Sequence, residues 1–174
     1  KKDAQKRLLG ASLSDNEKLI VILGGSLGSG GMKKVLQDAQ NMIKSTSYKV
    51  LCMGIEPKDR PFPEALTHEA CWDMTAVFSA ADVIVCRAGA STLAELRALG
   101  IPALVVPWLK AAGQHQVSNA QYFSKLTGAP VFLEGSSQEQ FRAALQSVAE
   151  RRMSCENLNA GAVNLYEALR SLTV

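Results

Sequence analysis

A chain of 174 residues, 47% apolar and 20% charged, is long enough to bury a sizeable core and has the balance of a single globular domain. Its net charge of +3 is too mild to point to nucleic acid, and its four cysteines (Cys52, Cys71, Cys86 and Cys155) are scattered without a CxxC pair. Free thiols in a reducing compartment are therefore expected, rather than disulfides or a zinc site.

The expected elements alternate between strand and helix. Leu19 to Leu23 (LIVIL) reads as a strand between Lys18 and a glycine cluster. Val35, Leu36, Ala39, Met42 and Ile43 recur at helical spacing. Tyr48 to Met53 is a second strand, the segment from Pro57 to Thr67 with its three prolines a loop, and Asp82 to Cys86 another strand. Leu93, Leu96 and Leu99 mark a short helix that Gly100 closes and Pro102 helps to end. Ala103 to Val106 is a strand between two prolines, Gln114 to Leu126 a helix, and Pro130 to Leu133 a last short strand. Two helices finish the chain. The first opens on a capping box of Ser137 and Gln140 and aligns Phe141, Leu145 and Val148. The second carries Leu158, Ala162, Leu165, Leu169 and Leu172.

Strands that are apolar throughout belong to a sheet covered on both faces. Their alternation with helices predicts an α/β fold, a doubly wound parallel sheet. Ligands of such folds bind beyond the carboxyl ends of the strands, so the loops after Leu23, Met53, Cys86 and Val106 are the place to look. No internal repeat or linker divides the chain. No apolar run reaches the ~18 residues of a membrane span, and no signal-peptide pattern opens the chain. Its first residue is Lys1 and not Met, which predicts a fragment or a processed chain.

Three stretches in those loops carry chemistry. "GGSLGSGG", Gly24 to Gly31, follows the first strand. Glycine lets a backbone approach a ligand closely, and amides at a helix start hold anions. The stretch lacks the Gly-Lys-Ser/Thr of a Walker loop and fails the dinucleotide pattern GxGxxG, so a plain strand-to-helix turn competes with a ligand role. "CRAGASTLAEL", Cys86 to Leu96, puts small residues at a helix start. Thr92-x-x-Glu95 has the form of a capping box, yet a carboxylate one turn beyond a phosphate cradle also suits a ribose diol. Both roles stay open for Glu95. "GQHQVSNAQ", Gly113 to Gln121, clusters amides, a serine and His115 at another helix start, where sugar hydroxyl contacts compete with capping. His68 lacks such company and reads as incidental, Trp108 is open to the pocket mouth or to packing, and the five methionines read as packing.

At these residues the chain resembles the C-terminal half of MurG-type glycosyltransferases, bacterial UDP-N-acetylglucosamine transferases that complete the peptidoglycan lipid precursor. The resemblance rests on "ADVIVCRAGASTLAELRALGIPALVVPW" with "HQVSNA" behind it, on "VILGGSLGS" and on "WDMTAVFSAAD", and it covers nearly the whole chain. It implies the GT-B fold, two Rossmann-like domains with a cleft between them, with residues 1–174 as the nucleotide-sugar-binding domain. Residue by residue, it implies that Gly25 and Ser26 face the sugar nucleotide and that the Cys71 backbone pairs with uracil. Ala90, Ser91 and Thr92 would cradle the diphosphate, Glu95 would bind the ribose, and His115 and Gln116 would contact the N-acetylglucosamine hydroxyls. Ala70-Cys71 replaces a bulkier pair of many members, and the glycine loop is richer in glycine than usual.

The same resemblance implies transfer of N-acetylglucosamine from UDP-GlcNAc to a lipid-linked muramoyl-pentapeptide, a hexosyltransferase reaction needing no metal or other cofactor. The lack of any Asp-x-Asp motif fits that. The acceptor base, the lipid-linked acceptor and the cytoplasmic face of the inner membrane would be met through an N-terminal acceptor domain. This chain alone would bind donor and transfer nothing. An NAD-binding Rossmann domain and a non-catalytic nucleotide-binding module are the rival readings, and a glycolipid synthase the rival within the family.

Overall fold

The computed structural model describes residues 1–24, 30–44, 47–68, 74–109 and 115–150. Among these residues five strands form: β1 (Lys18–Leu23), β2 (Tyr48–Met53), β3 (Leu66–His68), β4 (Val83–Cys86) and β5 (Ala103–Val105). They pair in the order β3-β2-β1-β4-β5, every pair parallel. Among the described residues seven helices accompany them: α1 (Lys2–Leu9), α2 (Gly30–Asp38), α3 (Gln40–Lys44), α4 (Met74–Ala80), α5 (Ala90–Leu99), α6 (His115–Thr127) and α7 (Gln138–Glu150). The expected doubly wound parallel sheet is what forms.

β1 shows why. Its four central residues, Leu19 to Ile22, are all buried, and they alternate between two separate cores. Ile20 and Ile22 join Leu36, Phe141, Leu145 and Val148 under α2, α3 and α7. Leu19 and Val21 join Val77, Leu93, Leu96 and Phe123 under α4, α5 and α6. A strand with an apolar side chain at every position can satisfy both sides only as the middle of three layers. Asp82 sets the register at the amino end: its carboxylate accepts from the Leu19 amide at 2.8 Å and its own amide donates to the Leu19 carbonyl at 2.9 Å.

Several expectations are refined. The helix expected through Val35 to Ile43 is divided at Ala39, although i to i−4 bonds from Ala39 to Val35 and from Ile43 to Ala39 carry the turn across. The loop from Pro57 to Thr67 contains a 3₁₀ turn (Pro57–Asp59) and ends in β3, whose Thr67 lies opposite Cys52 of β2. The expected strand from Pro130 to Leu133 is reduced to one parallel bridge, Val131 with Val105, held by the Val105 amide on the Pro130 carbonyl and the Phe132 amide on the Val105 carbonyl. The Ser137–Gln140 capping box forms in both directions, at 2.9 and 3.3 Å. Gly100 ends α5 in the left-handed region at φ 63°, where a side chain would be strained. The helix expected over Leu158 to Leu172 lies outside the described residues.

Strand order reverses beside β1. The chain builds outward through β2 and β3, then returns to lay β4 on the other side of β1, with Leu23 and Cys86 in register at their carboxyl ends. The crevice of such a sheet opens between the loops that leave those two strands. Those loops are the glycine cluster and the turn at residues 87–89.

Candidate functional site

β4 is buried along its whole length and delivers the chain through Arg87, Ala88 and Gly89 to the start of α5. Gly89 is the N-cap, in an extended conformation (φ −69°, ψ 133°), and no side chain caps the helix. This overturns the capping-box reading of Thr92 and Glu95. The chain turns at Gly89, so Thr92 is already the third helical residue and Glu95 lies a turn deeper.

The first intrahelical bond runs from the Leu93 amide to the Gly89 carbonyl at 3.0 Å. The amides of Ala90, Ser91 and Thr92 precede it and have no partner among the described residues. Three unpaired donors at the positive end of a ten-residue helix form an anion seat. Gly89 leaves the seat open. Among the described residues, a Cβ built there would meet only the Thr92 hydroxyl, at 4.0 Å, so any larger residue would project beside that hydroxyl.

Glu95 shares the face of Thr92, three residues on. It is exposed and has no hydrogen bond or ion pair among the described residues. A carboxylate that neither caps nor pairs is available to a ligand. Ala90 and Ser91 are exposed as well, and Thr92 is half-buried.

Helix α6 begins at His115, which is exposed. The Gln116 side-chain oxygen accepts from the Trp108 backbone amide at 2.9 Å, so one end of the expected sugar-binding amide is occupied in holding the loop after β5. Trp108 is half-buried. Asn119, which sequence reasoning passed over, donates from Nδ2 to the Ala88 carbonyl at 3.1 Å. It braces the turn before α5 from the neighbouring helix. Its signal was present in the "HQVSNA" block, one turn beyond His115. His68 sits at the end of β3, at the sheet's edge.

Gly25, Ser26 and Cys71 lie outside the described residues. The buried Cys86 thiol, one residue before the turn, is pushed up to about 12 by burial, and Cys52 likewise, so neither supplies a thiolate near neutral pH. Among the described residues no group of three His, Cys, Asp or Glu could hold a metal.

The family model described as "Glycosyltransferase family 28 C-terminal domain" matches residues 19–168. The chain belongs to this family. As a family 28 C-terminal domain it is similar to the UDP-N-acetylglucosamine--N-acetylmuramyl-(pentapeptide) pyrophosphoryl-undecaprenol N-acetylglucosamine transferase of Methylococcus capsulatus. The two are 31% identical over 173 residues, 88% of this chain and 46% of the relative. The enzyme of the same name from Desulfotalea psychrophila is 33% identical over 151 residues, 80% of this chain and 41% of the relative. The chain thus spans less than half of either relative. Among solved structures, Acinetobacter baumannii MurG matches with a TM-score of 0.66 at 24% identity, over 88% of this chain and 46% of that one. The spinosyn rhamnosyltransferase SpnG, in complex with thymidine diphosphate, matches at 0.59 and 17% identity, over 90% and 42%. At these identities the structural likeness shows the fold, that of the GT-B glycosyltransferases. The resemblance to MurG-type enzymes read from the motifs is thereby upheld.

Proposed function

We propose that residues 1–174 are the donor-binding domain of an inverting glycosyltransferase. Its reaction moves N-acetylglucosamine from UDP-GlcNAc to the lipid-linked muramoyl-pentapeptide, lipid I to lipid II, in peptidoglycan synthesis. The observation that carries this reading is the α5 start: three amides beside the Thr92 hydroxyl, and Glu95 on the same face one turn on, all without a partner among the described residues. The names of the relatives above support the sugar and the acceptor.

The residues then divide the work. Ala90, Ser91 and Thr92 receive the diphosphate, and Glu95 accepts hydrogen bonds from the ribose hydroxyls. His115 and Gln116 hold the sugar, Gln116 while its oxygen stays on Trp108. Gly25, Ser26 and the Cys71 backbone complete the contacts to sugar and uracil. As the acceptor hydroxyl bonds to the sugar's anomeric carbon, the bond to the β-phosphate oxygen breaks and UDP leaves with the electron pair. Negative charge then grows on the diphosphate, where fixed amides meet it without reorganising. The base and the acceptor surface belong to an N-terminal domain, which meets the lipid at the cytoplasmic face of the inner membrane. No described helix is long and apolar enough to cross that membrane.

Calorimetric titration of the chain with UDP, UDP-GlcNAc, UDP-galactose and NAD tests the reading. Binding of UDP and UDP-GlcNAc, with UDP-galactose weaker and NAD absent, is expected. Binding of NAD without UDP refutes it, and preference for UDP-galactose moves the protein towards glycolipid synthesis.

A further inference from the structure

Arg87 is the first residue beyond β4 and the first of the turn that leads to the anion seat. A cation there invites the expectation that it touches phosphate. Its side chain is committed elsewhere. Nη1 donates to the Val106 carbonyl at 3.2 Å, just past the end of β5, and the guanidinium forms an ion pair with the Glu134 carboxylate. The two side chains are only 12% and 23% exposed.

Glu134 follows the edge segment that bridges to β5, so one guanidinium ties together three neighbouring chain segments at the carboxyl edge of the sheet. The Oε1 atom of Glu134 is buried without a hydrogen-bond donor, which leaves the Arg87 charge as its compensation among the described residues. A buried charge that loses its partner is costly, so each side chain holds the other in place. With Arg87 fixed at its far end and the Ala88 carbonyl fixed by Asn119, the turn has little freedom to carry the α5 amides away from one geometry.

We propose that Arg87 and Glu134 are a positioning pair that fixes the turn under the diphosphate, and that Arg87 does not itself contact the phosphates. This rests on the donor-site reading above. Removing the Glu134 charge separates the two roles of Arg87. A guanidinium released from its partner and able to reach phosphate would tighten UDP binding. A guanidinium that only positions the turn would, once released, weaken it. Glutamine keeps the shape of glutamate and removes its charge, and Glu134 lines a cavity of about 450 Å³ beside Phe132 and Ser137.

The test compares UDP with uridine, which lacks the diphosphate, on the unaltered chain and on Glu134→Gln and Arg87→Met, with thermal melts of each. Partners that orient the ligands of a metal are typically worth about ten- to a hundredfold in affinity, and loss of a brace of the same kind beneath a diphosphate should weaken UDP about tenfold in both variants while uridine holds. Unchanged or tighter UDP binding by Glu134→Gln overturns the pair. A parallel loss of UDP and uridine, through unfolding or otherwise, reduces it to a structural tie and overturns it too. If the unaltered chain binds no UDP, the donor-site reading falls and the pair with it. UDP binding that neither variant disturbs refutes the pair alone.

Discussion

Glu95→Gln separates a ligand-binding carboxylate from a structural one, because the described residues give this side chain no bond whose loss would cost stability. It is exposed, it is not the cap of α5, and it has no partner among the described residues. The substitution keeps the shape and removes one charge. Surface changes of that kind stay within about 0.5 kcal/mol, and the sixth residue of a helix lies beyond the turn where the macrodipole acts most strongly. The melting temperature should therefore stay within about 2 °C of the unaltered chain. Hydrogen bonds to a charged group are worth roughly 1.5–3 kcal/mol, so UDP should bind about ten- to a hundredfold more weakly. Titration with 2′-deoxy-UDP closes the cycle. The unaltered chain should prefer UDP over the deoxy nucleotide, and the variant should lose most of that preference, since the two changes delete the same contact. An unchanged preference, or a variant that melts several degrees early while binding UDP normally, would refute the ribose assignment.

Two other perturbations test the scaffold beneath the site. Asn119→Ala removes the donor to the buried Ala88's carbonyl, which has no other hydrogen bond among the described residues, at a cost of roughly 1–3 kcal/mol. In a chain of this size each kcal/mol lowers the melting temperature by about 2–4 °C, and UDP affinity should fall alongside; an unchanged melt and affinity would show that the brace is idle. The buried thiols of Cys52 and Cys86 are raised from 9.0 to about 12. The folded chain therefore keeps protons that the unfolded chain releases, so stability is intact below pH 9 and falls as pH rises towards 12. The slope is about 1.4 kcal/mol per pH unit for each thiol, and Cys52→Ala with Cys86→Ala should flatten the alkaline limb of a denaturant-unfolding profile. A limb as steep as that of the unaltered chain would contradict the burial argument.

What the sequence made legible follows from where its information is local. β1 and β4 were plain because a run such as Leu19 to Ile22, apolar at every position, has few other uses. The end of α5 at Gly100 and the cap of α7 at Ser137 were plain because turn and cap chemistry reside in one or two residues. β3 was hidden for the opposite reason. Leu66, Thr67 and His68 form three residues at the sheet's edge, none of them buried, and only pairing with β2 makes them a strand. Thr92 and Glu95 matched a capping box by spacing, but spacing does not say where the helix begins, and the turn at Gly89 moved it. The deepest omission was Arg87 with Glu134. Each reads alone as an ordinary surface charge, and the pair exists only because the edge segment returns beside β5.

The exposure of the site bears on what it can do unaided. Ala90, Ser91, Glu95 and His115 are all exposed, so on the proposed reading the described residues offer a bound diphosphate one wall. On the proposed reading such a wall gives affinity, since amides, hydroxyl and carboxylate can each reach a nucleotide from below. It does not suffice for transfer. Water at the anomeric carbon would compete with an acceptor, and the field of the α5 amides is weakened wherever solvent screens it. The proposed transfer therefore calls for a second surface that closes over the sugar, excludes water and brings the acceptor hydroxyl with its base. On the proposed reading, affinity and chemistry are separable. Changes at Glu95, or at Arg87 and Glu134, should weaken donor binding in this chain alone, and no substitution within the described wall should by itself create turnover without such a surface.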